Sequence, residues 1–431
     1  VRITTVFRRL LGVISMCVDD VGLKGKELVL DVTPRWRRPR CPTCGERGTI
    51  HETREPRFWR DLAFGETVTL LRYAPRRVDC EKCGIHVEDV PWAAPKSRFT
   101  RRMEELVAYL AQQMSKTAVC KLAGIDWRTV GTIVARIIGE KLDPSRLDDL
   151  TVIGVDELSF RRHHNYVTVV VDHVRQRIVW VGEGKSSDTL AEFFKALGPE
   201  RAKLLTHVTM DLSAAFRSSV TTHAPQAELV FDRFHIQRLA SDAVDAVRRE
   251  EVRGAENAAA AKSLKGTRWP LLKSPWNLST TESAKLGDLQ RANRRIYRAY
   301  LLKEKLADIL SRKQPGVAAA ELTRWTRWAA RSRLKPFVKL SRTIKQFSTG
   351  IIAYIRTGLS NGPTEGLNNK IRLITRRAFG FHSAHALIAM IFLCCGGNHA
   401  RSPTPVTHRK SMRSFLSPQP QLQFLSVGRL I

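Results

Sequence analysis

The sequence predicts a multidomain α/β protein, and three observations carry that expectation. Two CxxC pairs sit in an Arg- and Pro-rich N-terminal stretch of short alternating segments. Two helix-length apolar patterns then flank a Gly-containing turn near residue 124. Further on, three β-branched apolar runs lead into alternating helical and strand patterns, and these into a long helical stretch. At 431 residues the chain is long enough for two or three modules, each burying its own core.

The N-terminal module is expected over residues 1–97. Alternating segments such as TVTLL (67–71) read as small strands. The leading RRLLGVISMCV mimics a short signal peptide, but no A-x-A-like site follows it, so it reads as a buried strand or helix. Cys41 and Cys44 in CPTCG and Cys80 and Cys83 in CEKCG are separated by 35 residues (45–79), room for one strand hairpin. Four thiolates can bind one Zn²⁺ tetrahedrally, and a Gly after each second Cys permits the tight turn that brings backbone N–H groups to the sulfurs. Such a site is closed, so its expected role is folding and docking. Arg35, Arg37, Arg38, Arg40, Arg76 and Arg77 flank the knuckles and offer either a nucleic-acid contact or a merely solvated face. The other four cysteines sit in apolar segments without disulfide-like regularity, which is the usage of a reducing cytosol.

Residues 98–148 are expected to form a helix-turn-helix. MEELVAYLAQQ, SKTAVCKLA and WRTVGTIVARII give three amphipathic helices, with Gly124-Ile125-Asp126 turning between the last two. On the third, Trp127, Val130, Ile133, Val134 and Ile137 share one face, leaving Arg128, Thr129, Thr132 and Arg136 outward to read base edges in a major groove.

From residue 149 the period changes again. TVIGVDEL, NYVTVVVD and RIVWVGEG read as a three-stranded meander, followed by a helix, a strand (HVTMDL), a helix and a fifth strand (AELVFD). That order, β-β-β-α-β-α-β, is the order of the ribonuclease-H-like fold. Residues from about 236 to 358 read as helical, the domain is expected to end near 397, and residues 398–431 lack periodicity and read as a disordered tail.

A formal charge of +31, from 72 Lys+Arg against 41 Asp+Glu, marks a polyanion as partner. A membrane surface fits less well, because the basic residues are spread through folded-looking segments and no stretch approaches the roughly 20 apolar residues of a bilayer span. Double-stranded DNA is the expected partner.

Phosphodiester chemistry on DNA with two Mg²⁺ or Mn²⁺ ions needs carboxylates gathered on a rigid scaffold. Asp156 lies inside the first strand between apolar neighbours, where a carboxylate is costly unless it is paired or holds a metal. Glu157 faces the other way by the period of two, and Asp172 is an ordinary turn residue. The second position has two candidates, Asp211 and Asp232. In this topology the fourth strand lies beside the first and the fifth one strand further out, which favours Asp211. Asp232 and His235 then form an auxiliary DxxH pair. Glu365 is expected in the first turn of a helix opened by Pro363, with Lys370, Arg372, Arg376 and Arg377 along the same helix as phosphate contacts.

With these residues in view, the chain resembles the bacterial insertion-sequence transposases of the ISL3 family. The resemblance rests on CPTCG and CEKCG, VDELSFRRHHNYVTVVVD, VFDRFHIQRLA, RWPLLKSPWNL and, most specifically, SNGPTEGLNNKIRLITRRAFGF, and it covers about residues 8–397. It implies a DDE triad mapping onto Asp156, Asp211 and Glu365, and an α-helical insertion domain at about 240–358 that touches the cut DNA end. Trp269, Trp276, Trp325 and Trp328 lie in that insertion, where stacking on a base competes with a plain core role. It also implies recognition of the element's terminal inverted repeats and of target DNA, action as a homo-oligomer of at least two copies, and a cytoplasmic place at the nucleoid. Two other readings compete: a ribonuclease-H-like nuclease or resolvase that cuts without rejoining, and a DNA-binding repressor with a decayed catalytic domain. The recognition modules weigh against the first, and the complete set of carboxylates against the second.

Overall fold

The computed structural model describes residues 2–13, 15–161 and 165–397, so the expected tail at 398–431 lies outside the described residues. The chain divides into two compact units between Ile137 and Ile138.

The first unit opens with a helix, α1 (Ile3–Leu11), and only then a strand, β1 (Met16–Lys24), so the segment read as strand or helix is one followed by the other. Strands β2 (Glu27–Pro34), β3 (Thr49–Thr53), β4 (Arg57–Arg60), β5 (Val68–Tyr73), β6 (Arg76–Cys80) and β7 (Gly84–Val87) follow. They form a four-stranded sheet ordered β1-β2-β5-β4 and a three-stranded sheet ordered β3-β6-β7. The stretch between the CxxC pairs therefore holds more than the single hairpin expected. The β4–β5 hairpin joins the larger sheet, while β3 and β6 make the platform that carries the cysteines. Trp59 and Tyr73 meet Trp92 edge to face at 5.7 and 5.4 Å and fill the core over the larger sheet.

Three helices complete this unit: α2 (Arg101–Gln113), α3 (Lys116–Ala123) and α4 (Trp127–Lys141), the last crossing the division between the units. Thr100 and Ser115 cap α2 and α3 by accepting from the N–H groups of Met103 and Ala118. Gly124 ends α3 in the left-handed conformation, φ 59°, and so makes the sharp turn into α4.

The second unit is built on a five-stranded sheet of β8 (Val152–Arg161), β9 (Asn165–Asp172), β10 (Arg177–Glu183), β11 (His207–Met210) and β12 (Glu228–Phe231). Its order is β10-β9-β8-β11-β12, antiparallel through the meander and parallel from β8 outward. This is the ribonuclease-H-like sheet. Helices α5 (Ser187–Leu197), α6 (Pro199–Ala202) and α7 (Ala214–His223) make the crossovers, and α8 (Arg233–Arg253) leaves the last strand. The insertion follows as α9 (Ala258–Lys265), α10 (Arg268–Leu272), α11 (Thr280–Ala292), α12 (Arg294–Ser311), α13 (Pro315–Ala330), α14 (Lys335–Gln346) and α15 (Ser348–Thr357). The chain then returns to the sheet in α16 (Gly362–Arg377) and α17 (Ala384–Cys395). The insertion shares the core of the sheet: one apolar cluster runs from Ile153 and Val208 through Val244 and Val247 of α8 to Leu306, Trp325, Phe337 and Ile344. That continuity fixes α8 and α14 rigidly beside the ends of the strands.

Candidate active site and DNA-binding modules

In the first unit the Sγ atoms of Cys41, Cys44, Cys80 and Cys83 all lie within 4.8 Å of one another. Gly45 and Gly84 take φ values of 74° and 79°, the left-handed turns that fold each knuckle back. Burial opposes ionisation of Cys41, yet backbone N–H groups of Cys44 and Thr43 and the neighbouring thiols bring its pKa down to about 6. A four-thiolate set with a ready anion fits Zn²⁺. Of the flanking arginines, Arg76 is structural, since its guanidinium grips the buried Glu88 carboxylate at 2.6 and 2.9 Å. Arg77 pairs with Glu52, and Arg40 lies over the ring of Trp36, while Arg35, Arg37 and Arg38 are exposed.

On α4, Val130, Ile133, Val134 and Ile137 are buried, as expected, and Arg128 and Thr132 are exposed. Three residues depart from the expectation. Trp127 stays outside the core with its ring under the Lys116 ammonium, 3.6 Å away, because it stands at the first turn where the apolar face has not yet reached its partners. Thr129 donates both its N–H and its hydroxyl to Asp126, which caps the helix. Arg136 turns inward to the buried Glu104 of α2, an ion pair that ties the helices together.

In the second unit the carboxylates are set by the parallel ladder. Thr209 of β11 pairs with Gly154 of β8, and Met210 with Phe231 of β12. Carried past the strand ends, the same register sets Asp156, Asp211 and Asp232 abreast at one end of the sheet. Asp156 is in β8, Asp211 follows β11 directly, and Asp232 stands at the position before α8 just past β12. Burial raises the pKa of all three. The Asp156 charge pushes Asp211 up further, and Glu365 does the same to Asp232. Glu157 is also raised, by burial and then by Asp211, so it sits closer to the cluster than the alternation of a strand suggests. His235 acts in the opposite sense on Asp156, Glu157, Asp211 and Asp232. Among the described residues, one Asp211 oxygen is buried without a hydrogen-bond partner. Crowded, part-buried acids with an orphaned acceptor are the environment that a divalent cation relieves.

Glu365 is exposed in the first turn of α16, which starts at Gly362, one residue before Pro363. The buried face of that helix carries polar residues that the sequence reading passed over: Asn361, Thr364 and Asn368. Asn368 Nδ2 donates to Asp156 Oδ2 at 2.6 Å, while Asp156 Oδ1 accepts from the Glu157 N–H at 2.8 Å. Thr209 Oγ1 donates to Asn361 Oδ1 at 2.9 Å, and His173 Nε2 lies 3.1 Å from Thr364 Oγ1 and 3.2 Å from Thr209 Oγ1. This clamp occupies the space above Gly154, where a Cβ would stand 2.0 Å from Thr364 Oγ1. The signal for it lies in the spacing 361, 364, 368, 371, a helical stripe in which three of four residues are polar. Asp172 is the expected turn residue, accepting from the N–H groups of Val174 and Arg175.

Among the cations of α16, Lys370 and Arg376 are exposed, Arg372 bonds Asn369 and lowers the Asp156 pKa, and Arg377 reaches back toward Cys394 of α17 instead of outward. In the insertion the tryptophans divide. Trp325 is core, its indole N–H donating to Leu302 O, and Trp328 is partly exposed, whereas Trp269 and Trp276 are 64 % and 90 % exposed.

A four-cysteine zinc module, a helix-turn-helix and a ribonuclease-H-like sheet ending in a row of carboxylates define an enzyme that binds, cuts and joins DNA with divalent metal: a transposase of the DDE class. Comparison with known proteins agrees along the chain. Residues 153–391 match the ISL3 DDE transposase family, residues 88–138 the helix-turn-helix domain of transposase family ISL3, and residues 37–83 the zinc-finger of transposase IS204/IS1001/IS1096/IS1165. The transposase for insertion sequence element IS1557 of Mycobacterium tuberculosis is 40% identical over 438 residues, 93% of this chain and 98% of that one. The transposase for IS1001 of Bordetella parapertussis is 29% identical over 379 residues, 87% and 93% of the two chains. The chain belongs to the ISL3 family of insertion-sequence transposases. Among the described residues no helix is long and apolar enough to cross a membrane.

Proposed function

We propose that this transposase binds the terminal inverted repeats of its element through residues 1–97 and 98–148, and cleaves and rejoins DNA in a catalytic domain over 149–397 interrupted at about 240–358. Asp156, Asp211 and Glu365 would hold the catalytic ions, and Mg²⁺ or Mn²⁺ bound there would supply the positive charge that phosphodiester cleavage and rejoining need. The observation that carries this reading is the shared level of Asp156 and Asp211 on neighbouring strands, with Asn368 tying Asp156 to the helix that bears Glu365. Asp232 and His235 flank the ions and shape their surroundings. Arg128 reads bases, aided by Thr132, while Lys370, Arg372 and Arg376 hold phosphates beside the cut. The active form is a homo-oligomer on DNA, at least a dimer, working in the bacterial cytoplasm at the nucleoid. Single-turnover cleavage of labelled element ends tests the assignment. Alanine at Asp156, Asp211 or Glu365 is expected to lower cleavage and strand transfer together by about three or more orders of magnitude with end binding kept. Normal cutting by Glu365→Ala would overturn the mechanism.

A further inference from the structure

The turn between α16 and α17 carries a side chain that folding alone does not explain. Phe379 is 96 % exposed, more than any other large apolar residue among the described ones. It also stands in the left-handed region, at φ 55°. Phe379 N–H donates to Arg376 O at 3.1 Å and Gly380 N–H to Thr375 O at 2.9 Å, the pair of bonds that closes a helix when the residue after the cap turns left-handed. Glycine is usual at that position, because a Cβ there crowds the backbone. Here the phenylalanine takes it, and the glycine comes one residue later at φ 100°. The other non-glycine residues at positive φ among the described ones are Lys96, Asp149, Gln176 and Arg333, all hydrophilic. Phe379 thus combines backbone strain with a solvated ring, and its ring gains almost no packing in return.

The surroundings of the ring point to its partner. Glu365, Asn369, Arg372 and Arg376 form one exposed stripe along α16 at the spacing of a helical face, and Phe379 follows at its end. Lys370 is exposed beside that stripe, and between residues 362 and 385 Glu365 is the one acidic residue. Cations running from a carboxylate of the active site to an apolar tip fit a duplex laid along the helix, whereas an apolar protein surface would have to desolvate them. At 1.5 Å per residue the tip stands roughly 20 Å from Glu365, about six base-pair rises of 3.4 Å. We propose that Phe379 is a wedge that enters the base stack of duplex DNA about six base pairs from the phosphate being cut and kinks it there. Inserting an apolar side chain between base steps costs unstacking, which contacts to the bent duplex offset. The element's end and the target duplex both reach the carboxylates in strand transfer, so either can lie along α16. The proposal rests on the reading of α16 as the helix beside the cut.

The test uses the full chain without divalent metal, so that binding is read apart from cleavage. Phe379→Gly removes the ring and the strain together. It is expected to unfold at the wild-type temperature or higher and to bind duplex about tenfold more weakly. A mismatched pair makes unstacking cheap at one step, so single mismatches are moved along the duplex from about three to nine base pairs on either side of the cut. In one arm they lie in an element end, in the other in a target duplex offered to protein already holding pre-cut ends. One position, about six pairs from the cut, should strengthen wild-type binding about tenfold and leave Phe379→Gly unchanged. Energy transfer between dyes on the two duplex ends should show a kink with wild type and none with Phe379→Gly. The arm that responds identifies the duplex the wedge enters. No responding position in either arm, or one only at the cut itself, overturns the proposal, and so does Phe379→Gly that binds and kinks DNA like wild type. Unchanged DNA binding with a smaller DNA-free oligomer would place the ring against a second copy and also overturn it. Should Phe379→Gly fail to fold, Phe379→Asn, which tolerates the same backbone, carries the test with the same outcomes. Asp156→Ala should respond at the same position as wild type, because nothing is cleaved. Full cleavage by Asp156→Ala in Mg²⁺ with that response intact would refute the triad and leave the wedge standing.

Discussion

Gly154→Ala puts one methyl group where the clamp beneath α16 now sits. The added Cβ would stand 2.0 Å from Thr364 Oγ1, 2.4 Å from His173 Nε2 and 3.1 Å from Asn361 Oδ1. Carbon and oxygen normally touch at about 3.3 Å, so the nearest contact is roughly 1.3 Å short. Neither closest neighbour can swing aside cheaply, since Thr364 is fully buried on the helix and His173 is held by two hydroxyls. The start of α16, with Glu365 next to Thr364, must therefore move by about 1 Å. Misplacement of that size costs catalysis about a hundredfold. Stability should change less: overpacking costs about 1–3 kcal/mol, offset by about 0.5–1 kcal/mol for replacing glycine in a strand. The assay is single-turnover cleavage of a labelled element end beside thermal unfolding and end binding. A folded protein that binds normally and cuts about a hundredfold more slowly is expected. Thr364→Ala in the same chain should recover part of the loss by removing the nearest contact, with His173 still in the way. Wild-type cutting by folded Gly154→Ala would refute the idea that docking of α16 on β8 sets the position of Glu365.

Other perturbations separate the modules. Cys80→Ser removes one thiolate of four, so metal analysis should show zinc lost and limited proteolysis should open the N-terminal unit, while a folded variant with a full equivalent of zinc would count against the site. Arg128→Ala should weaken binding to element ends by about 1–3 kcal/mol more than to random duplex, and equal losses on both would make it a phosphate contact. Arg136→Ala should instead lower stability by about 1–3 kcal/mol by leaving Glu104 buried without its cation, with little change in end preference; the reverse pattern would restore it to the recognition face. Trp276→Ala, at a fully solvated ring, should leave unfolding unchanged and weaken binding to pre-cut ends if the insertion stacks on DNA, whereas unchanged binding would remove it from the interface.

What could be read from the chain alone was local. The strand runs from TVIGVDEL to AELVFD, the three helices before them and the two CxxC knuckles are periodic or spaced over a few residues, and each appears where its pattern lies. Long-range pairing was less accessible. Asn368 and Asp156 are 212 positions apart, and nothing in either segment announces that one will donate to the other. Arg136 looked outward by helical angle, but a buried Glu104 on another helix outweighs that angle because an uncompensated carboxylate in a core is costly. Trp127 erred the other way: hydrophobic character placed it inside, although a helix's first turn often projects beyond the layer it packs on.

The middle carboxylate turns on the same long-range geometry. In a parallel ladder each strand adds about 4.8 Å, so Asp211 stands one such step from Asp156 and Asp232 roughly two. Two catalytic ions lie about 3.5–4 Å apart, and a ligand that bridges them must be within reach of both. That favours Asp211, whose buried oxygen without a hydrogen-bond partner among the described residues would be satisfied by a divalent ion held there with Asp156. Glu365, however, raises Asp232 and is not among the charges acting on Asp211. Asn368 of α16 donates to Asp156 at one end of the row, and the Glu365 charge on the same helix raises the Asp232 carboxyl at the other. Asp232→Asn then keeps shape and removes charge at the far end only. It should slow cleavage by about ten- to a hundredfold, with Asp211→Asn slower by a further factor of about a hundred. Equal loss in the two variants would mean that the ions sit between Asp211 and Asp232, and that Asp156 serves as their support.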